Sequence, residues 1–390
     1  MAIHSAAGHD EEFHDDIIYP HTIPFILVHL ACLGALWTGV SVQALVVCVL
    51  LYVVRMFGVT AGYHRYFSHR SFKTSRAGQF VLAWLAQSSA QRGAMWWAAV
   101  HRHHHLHSDT EEDAHSPRHR GFLYSHVGWV FDRRHEDTDV EAVPDLARYP
   151  EMRWLDRFQL VPAVVLGVAC FAFGGWGMLV VGFFWSTVLL YHGTFFINSL
   201  AHVHGSQRYV TGDDSRNNWW LALITLGEGW HNNHHAYQRS TRQGFRWYEI
   251  DPTYYALKAM SWVGLVWELG EPPADVVANE RRLGARVVEK VARQLAASFP
   301  ADRIALQAAS VLAARPDWDE LQARLQGAGA HAASVLAKIE LPHVPTLDEV
   351  RRYAERTLAQ TPSLDQIAER ARQLVMEAVA VRLVQHPSLA

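Results

Sequence analysis

Nine histidines hold the chemistry available to this chain: His64 and His69; His101, His104 and His105; His202; and His231, His234 and His235. Two of the groups have the form His-x-x-His-His. Residues three and four apart share a helix face, so each triplet is expected to aim its imidazoles at one point. Imidazole is the commonest side-chain ligand for transition metals, and nine exceed what one ion can hold. The pattern predicts a two-metal site. No cysteine stands among the groups, which argues against structural zinc. Neutral nitrogen donors suit iron, copper, zinc and nickel alike, so spacing does not choose the metal.

Neighbouring residues sort into partners and bystanders. His103 points about 160° away from His101 on a helix, and His107 and His115 lie beyond the triplet. Asp109, Asp113 and Glu228 stand near the boxes, where carboxylates can orient ring N–H groups. Asn198 precedes His202 by four residues and so faces the same way, placed to hold a metal-bound water. His64 and His69 are five apart and share no α-helical face well. They are expected to straddle the end of a membrane helix.

The elements that must position these residues are apolar. No Asp, Glu, Lys or Arg occurs from Thr22 to Val54, or from Phe158 to Gln207. A bilayer core takes roughly 20 apolar residues per helix, so each run is too long for one crossing and suits two. Gly174-Gly175-Trp176-Gly177 offers a turn in the second run, and Thr38 to Ser41 the break in the first. The fold class expected is an all-α membrane protein: four transmembrane helices in two hairpins, with a cytoplasmic helical cap holding the metals. Arg55, Arg65, Arg70, Lys73 and Arg76 follow the first hairpin, while both outer turns are uncharged. The positive-inside tendency then makes the side shared by the termini cytoplasmic, with a bacterial inner membrane as the expected location.

A polar tail spans residues 1–21, whose acidic start lacks the basic n-region of a secretory signal. The membrane domain runs over 22–270, with a single interfacial helix expected from Arg76 to Val100. Beyond Glu271-Pro272-Pro273 the composition turns to Ala, Arg, Glu, Gln and Leu, which predicts a soluble helical extension over 271–390. Pro316-Asp317, Pro345-Thr346 and Pro362-Ser363 each begin a helix start with capping-box spacing. Cys32, Cys48 and Cys170 sit unpaired in apolar runs, and the formal net charge of −3 supplies no basic field for nucleic acid.

The boxes resemble those of the membrane-bound fatty acyl desaturases of the stearoyl-CoA (delta-9) type. The matching stretches are Thr60-Ala61-Gly62-Tyr63-His64-Arg65 to His69, His101-Arg102-His103-His104-His105, and Gly121-Phe122 with Ser125-His126-Val127-Gly128-Trp129. Asn198-Ser199-Leu200-Ala201-His202 and Gly227-Glu228-Gly229-Trp230-His231-Asn232-Asn233-His234-His235 complete the set. The resemblance covers about residues 20–270, and its last box reads more like bacterial and plant members than animal ones. It implies two irons held by the nine histidines, with Asn198 binding through water. It implies O2 as co-substrate and a cis double bond, at delta-9, introduced into a saturated chain carried on CoA or a lipid. Cys48 and Tyr52, one turn apart on the second membrane helix, are implied to close the tunnel for the chain's methyl end.

The chain has no haem signature, ferredoxin-type cysteine spacing or dinucleotide fingerprint. Electrons are expected from a separate ferredoxin, cytochrome b5 or flavin reductase. One departure stands out: animal acyl-CoA members carry Arg-Asp before the second box, where this chain has Ala99-Val100. The extension lies outside the resemblance. The alternatives are a di-iron lipid hydroxylase on the same core, which would add one oxygen to its product, and a membrane metal-binding or transport protein, which would consume no O2.

Overall fold

The structure is a computed structural model that describes residues 22–132, 134, 136–313 and 342–385. The expected tail over 1–21 and the Pro316 helix start lie outside those residues. The described chain is mostly helical, and its one named sheet is a two-residue ribbon. Its strands are β1 (Lys73–Thr74) and β2 (Val266–Trp267), antiparallel with Lys73 opposite Trp267.

Helix α1 (Ile23–Thr38) ends at Gly39, whose φ of 67° lies in the left-handed region that glycine occupies at no steric cost. Helix α2 (Val42–Ser68) begins three residues later, with the Ser41 hydroxyl accepting from the amide of Ala44 at 3.2 Å. The break therefore falls within Thr38 to Ser41, as expected. Between Val42 and Phe57 the helix is regular; from Gly58 to Ser68 it widens into a π-helix.

The expected helix from Arg76 to Val100 is instead two, α3 (Arg76–Gln87) and α4 (Ala94–His107). Ala90 and Arg92 take positive φ, and Gly93 is extended at the start of α4, so the uncharged stretch turns between them. Composition hid this break because neither residue is a habitual turn former.

Helix α5 (Val161–Gly177) reverses within its last turn, at Gly174 (φ −151°) and Gly175 (φ 61°). The chain continues as helix α6 over residues 178–198, π-like to Trp185 and regular from Ser186. A Cβ on Gly167 would lie 3.3 Å from the Phe183 ring. In a straight helix their separation would be about 24 Å, so the two arms lie side by side. Among the described residues, Val42–Ser68 and Val161–His202 are long and apolar enough to cross a membrane, and Ile23–Thr38 is apolar but shorter. Leu36, Trp37, Val49, Val168 and Phe173 are among the large apolar side chains exposed on these helices.

Two of the five cations expected to mark the cytoplasmic side are interior. Arg55 donates to Thr187 and Ser186 of α6, and Arg65 pairs with Glu228 and Asp251. The surface charge after the first hairpin therefore rests on Arg70, Lys73 and Arg76.

The described chain forms two compact units. One holds the helices above together with Asn218–His234 and Gln238–Glu271; the other gathers Ser206–Asn217, His235–Tyr237 and the chain from Pro272 onward. In the second unit, the helices Ala285–Ala296, Leu347–Thr357 and Leu364–Val384 share an aliphatic core around Val291, Leu295, Val350, Ile367 and Ala371. Thr346 and Glu349 make the full capping box expected there. Ser363 does not: its hydroxyl accepts from the Leu283 amide at 2.8 Å and leaves its own helix uncapped.

Candidate metal centre

The π-widened end of α2 explains how residues five apart reach one place. A π-helix bonds i to i+5 and so brings such residues onto one side. The His69 amide bonds the His64 carbonyl at 3.2 Å, and the two rings lie 4.8 Å apart. The expectation that they share no face is corrected by this local geometry. Helical register then supplies the rest: His101 and His105 are one turn apart on α4, and His234 comes from α7 (His231–Ala236).

Five imidazoles converge here. The Nε2 atoms of His64 and His234 are 3.0 Å apart, those of His69 and His101 2.9 Å, of His105 and His101 2.9 Å, and of His234 and His105 3.0 Å. Metal–imidazole bonds of about 2.1 Å place neighbouring donors about 3 Å apart on a coordination polyhedron. The donor set thus fits a transition-metal ion in both spacing and chemistry.

A second set forms from His104, His202 and His231, whose ligand atoms lie within 4.8 Å of one another. His202 Nε2 is 3.0 Å from His231 Nε2. Each His-x-x-His-His triplet is therefore divided between two sets, where the spacing had suggested one target each. The reason is angular: the first and last residues of His101–His105 lie about 40° apart around the helix, while His104 stands off to the side.

Carboxylates hold the outer ring nitrogens. His104 Nδ1 meets Asp113 at 3.0 Å, His202 Nδ1 meets Asp109 at 2.8 Å, and His64 Nδ1 meets Glu228. A carboxylate on Nδ1 fixes the tautomer and turns the Nε2 lone pair toward the metal. Burial pushes the Asp113 carboxyl up, but His104 and His115 beside it hold it well below the ordinary carboxylate range. Glu228 is also held low: His64 and Arg65 outweigh its burial. In the second unit, His235 Nδ1 meets Asp213 at 2.8 Å. Asp213 escaped the sequence reading; its signal was the turn-forming run Thr211-Gly212-Asp213-Asp214-Ser215. His103 turns away to the Glu112 carbonyl, as its position on α4 predicts.

Two cavities adjoin the histidines. The smaller, about 40 Å³, is lined by His64 and His101 of one set and His104 and His231 of the other, with Asn198, Met56 and Thr194. It has room for about one small molecule. The larger, about 300 Å³, is walled by Trp96, Trp97, Trp129, Tyr191 and Phe195 and reaches His101 and Asn198. Its wall also carries Arg92, Asp132 and Gln159. Cys48 is buried and Tyr52 donates to the Ile224 carbonyl at 2.7 Å; neither lines either cavity, although Met56, one turn on from Tyr52, lines the smaller.

A family model described as fatty acid desaturase matches residues 41–262, more than half of the chain. The chain belongs to the fatty acid desaturase family. It is thereby an oxidoreductase, and the resemblance of its boxes is borne out. Similar proteins include an sn-1 stearoyl-lipid 9-desaturase from Synechocystis sp., 38% identical over 66% of this chain and 81% of the relative. A second protein of that description, from Anabaena variabilis, is 37% identical over 64% of this chain and 92% of the relative. An acyl-CoA 5-desaturase from Anemone leveillei is 37% identical over 63% of this chain and 77% of the relative.

In this desaturase a further clamp holds the histidine-bearing segments. Asp145 accepts from Arg70 at 2.7 Å and from Arg102 at 2.8 Å, joining the residue after His69 to the second box. Burial raises the Asp145 carboxyl, but Arg102 and Arg70 together hold it below the ordinary range. A depressed folded value means that the contribution is fully present above about pH 4 and is lost as pH falls through that value. Asp145→Asn is therefore expected to lower the melting temperature at pH 7, with the gap to wild type closing below about pH 4. Parallel thermal melts in detergent between pH 7 and about 2 check this; a gap independent of pH would show that the charge contributes nothing.

Proposed function

We propose that this protein introduces a cis double bond into a saturated acyl chain at a di-iron centre. The observation that carries the reading is the division of buried and half-buried imidazoles into two sets beside one shared cavity. His64, His69, His101, His105 and His234 would hold one iron. His104, His202 and His231 would hold the other, with Asn198 binding through water. The His-x-x-His-His spacing that joins it to His231 and His234 supports His235 as the ninth ligand. Bound iron, with O2 as co-substrate, supplies the redox chemistry that takes hydrogen from an unactivated methylene. No side-chain base does this, because such a C–H carries no acidic proton. Two hydrogens from the chain, two delivered electrons and two protons reduce O2 to two waters; a separate redox protein supplies the electrons.

The residues of this chain bind, orient and exclude water. The aromatic cavity suits an alkyl chain, since apolar burial and a fixed path bring one methylene pair to the metals. Val100 lines that cavity and Ala99 is buried, so the two positions present no charge to a CoA head group. This supports a lipid-linked carrier. We place the four apolar arms of α1, α2, α5 and α6 across the bilayer, with the metal sets and the helical extension on the cytoplasmic side. The hairpin at Gly174-Gly175 and the exposed apolar faces support this arrangement.

Purified protein with a reductase system and a panel of saturated acyl-CoA and acyl-lipid substrates tests the reading. Mass spectrometry is expected to show loss of two hydrogens; gain of one oxygen would make the protein a hydroxylase, and no O2 consumption would remove the enzyme reading. Tyr52 lies beside Gly193, next to the cavity residue Thr194. Tyr52→Ala is expected to shift the preferred chain length upward by at least two carbons, and an unchanged product profile would withdraw Tyr52 from the tunnel end.

A further inference from the structure

The extension after Pro272 lies beyond the family match, which ends at residue 262. We propose that it is a positioning device for His235: it grips the Ser206–Asn217 loop and so holds the Asp213 carboxylate against Nδ1 of that histidine. This rests on the reading of His235 as a ligand.

The loop is closed at its neck by two backbone bonds between Ser206 and Asn217, of 2.9 and 2.8 Å. Within it the Asp213 carboxylate is fully engaged. Oδ2 takes His235 Nδ1, while Oδ1 accepts the hydroxyls of Thr211 at 2.7 Å and Ser215 at 2.5 Å. A loop of this size buries little of its own, and what anchors it is the extension. Val210 enters the aliphatic core formed by Val291, Leu295 and Ile367. Gln294 Nε2 donates to the Gly212 carbonyl at 3.0 Å, and the Tyr209 hydroxyl donates to the Val277 carbonyl at 3.1 Å.

Gly212 takes φ +80°, and a Cβ there would sit 3.3 Å from the Lys290 side chain. Lys290, Val291 and Gln294 thus present one face of a single helix to the three residues preceding Asp213. On the other side of the pair, the Arg281 guanidinium lies 5.9 Å from the Tyr237 ring, two residues past His235. Carboxylate and imidazole are therefore both braced by the same extension. Outer partners of ligating histidines affect metal affinity by about 10–100-fold, so loosening the brace should show in retention of one ion before it shows in folding.

The test uses full-length protein loaded with iron. Release to a chelator is followed over time, and Mössbauer spectra assign which of the two irons leaves. Asp213→Asn is expected to speed loss of one iron by about 10–100-fold. Gln294→Ala with Tyr209→Phe, which removes two hydrogen bonds to the extension, is expected to speed loss of the same iron by roughly 3–10-fold, a fraction of that direct effect. Gln294→Lys keeps a donor for the Gly212 carbonyl and should restore the wild-type rate. If the double variant is poorly folded, Tyr209→Phe alone carries the measurement. Wild-type release from the double variant, with fast release from Asp213→Asn, overturns the role of the extension. Wild-type release from Asp213→Asn as well overturns the assignment of His235 to the metal.

Discussion

Alanine at His234 is expected to abolish desaturation, reducing product by more than about 100-fold and bound iron from two ions toward one. Its Nε2 stands 3.0 Å from those of both His64 and His105, so it joins α7 to α2 and α4 at one point. Loss of an outer partner alone commonly costs 10–100-fold in affinity or activity, and removal of the donor itself should exceed that. The contrast is His103→Ala. That ring sits in the same box as His104 but contacts the Glu112 carbonyl, and its loss should leave product formation within about twofold of wild type. Product quantification with elemental analysis on the same samples checks both. Full turnover by His234→Ala, or active protein that contains zinc alone, would remove the di-iron reading.

The elements that deliver these residues were legible wherever a local rule decides. Gly174-Gly175 reads as a reversal because an uncharged run longer than one crossing needs one, and glycine tolerates the positive φ found at Gly175. Thr346 reads as a cap because Glu349 follows at the right distance. Asp109, Asp113 and Glu228 stood close enough to the boxes to be read as partners of ring nitrogens, and each meets one.

What stayed hidden depends on geometry that no residue type announces. Nothing in Gly58 to Ser68 marks a π-helix, yet that widening turns His69 toward His64. His104 is angled away from His101 and His105 on its helix, but which neighbouring helix each ring then faces is a tertiary fact. Arg55 and Arg65 look like surface cations because they stand at or just past the end of an apolar run; their side-chain partners lie more than a hundred residues away. Asp213 is distant from its histidine in sequence and reaches it through a loop held by the extension.

Arg65 carries the largest expected effect on stability. Its side chain is 1% exposed and forks between Glu228 at 3.0 Å and Asp251 at 2.9 Å, with a third bond to the Thr241 carbonyl at 2.8 Å. A methionine would fill much of the volume but leave two carboxylates buried without their cation. Removing one partner of a buried pair costs about 3–5 kcal/mol, and on a domain of this size that is roughly 8–15 °C in melting temperature. Arg65→Met should therefore melt far below wild type, while Arg65→Lys, which keeps the charge and loses the fork, should fall between. The residue also stands next to His64, and Glu228 serves both: one oxygen takes His64 Nδ1, the other Arg65. Without Arg65 the Glu228 carboxyl loses one of the two groups that hold it low, so it should protonate more readily and orient His64 less firmly. Adding Glu228→Gln to Arg65→Met removes one stranded charge and should recover part of the melting temperature, but not the iron retained by the His64 set. A melting temperature for Arg65→Met equal to that of wild type would show that the fork to the two carboxylates contributes nothing to stability.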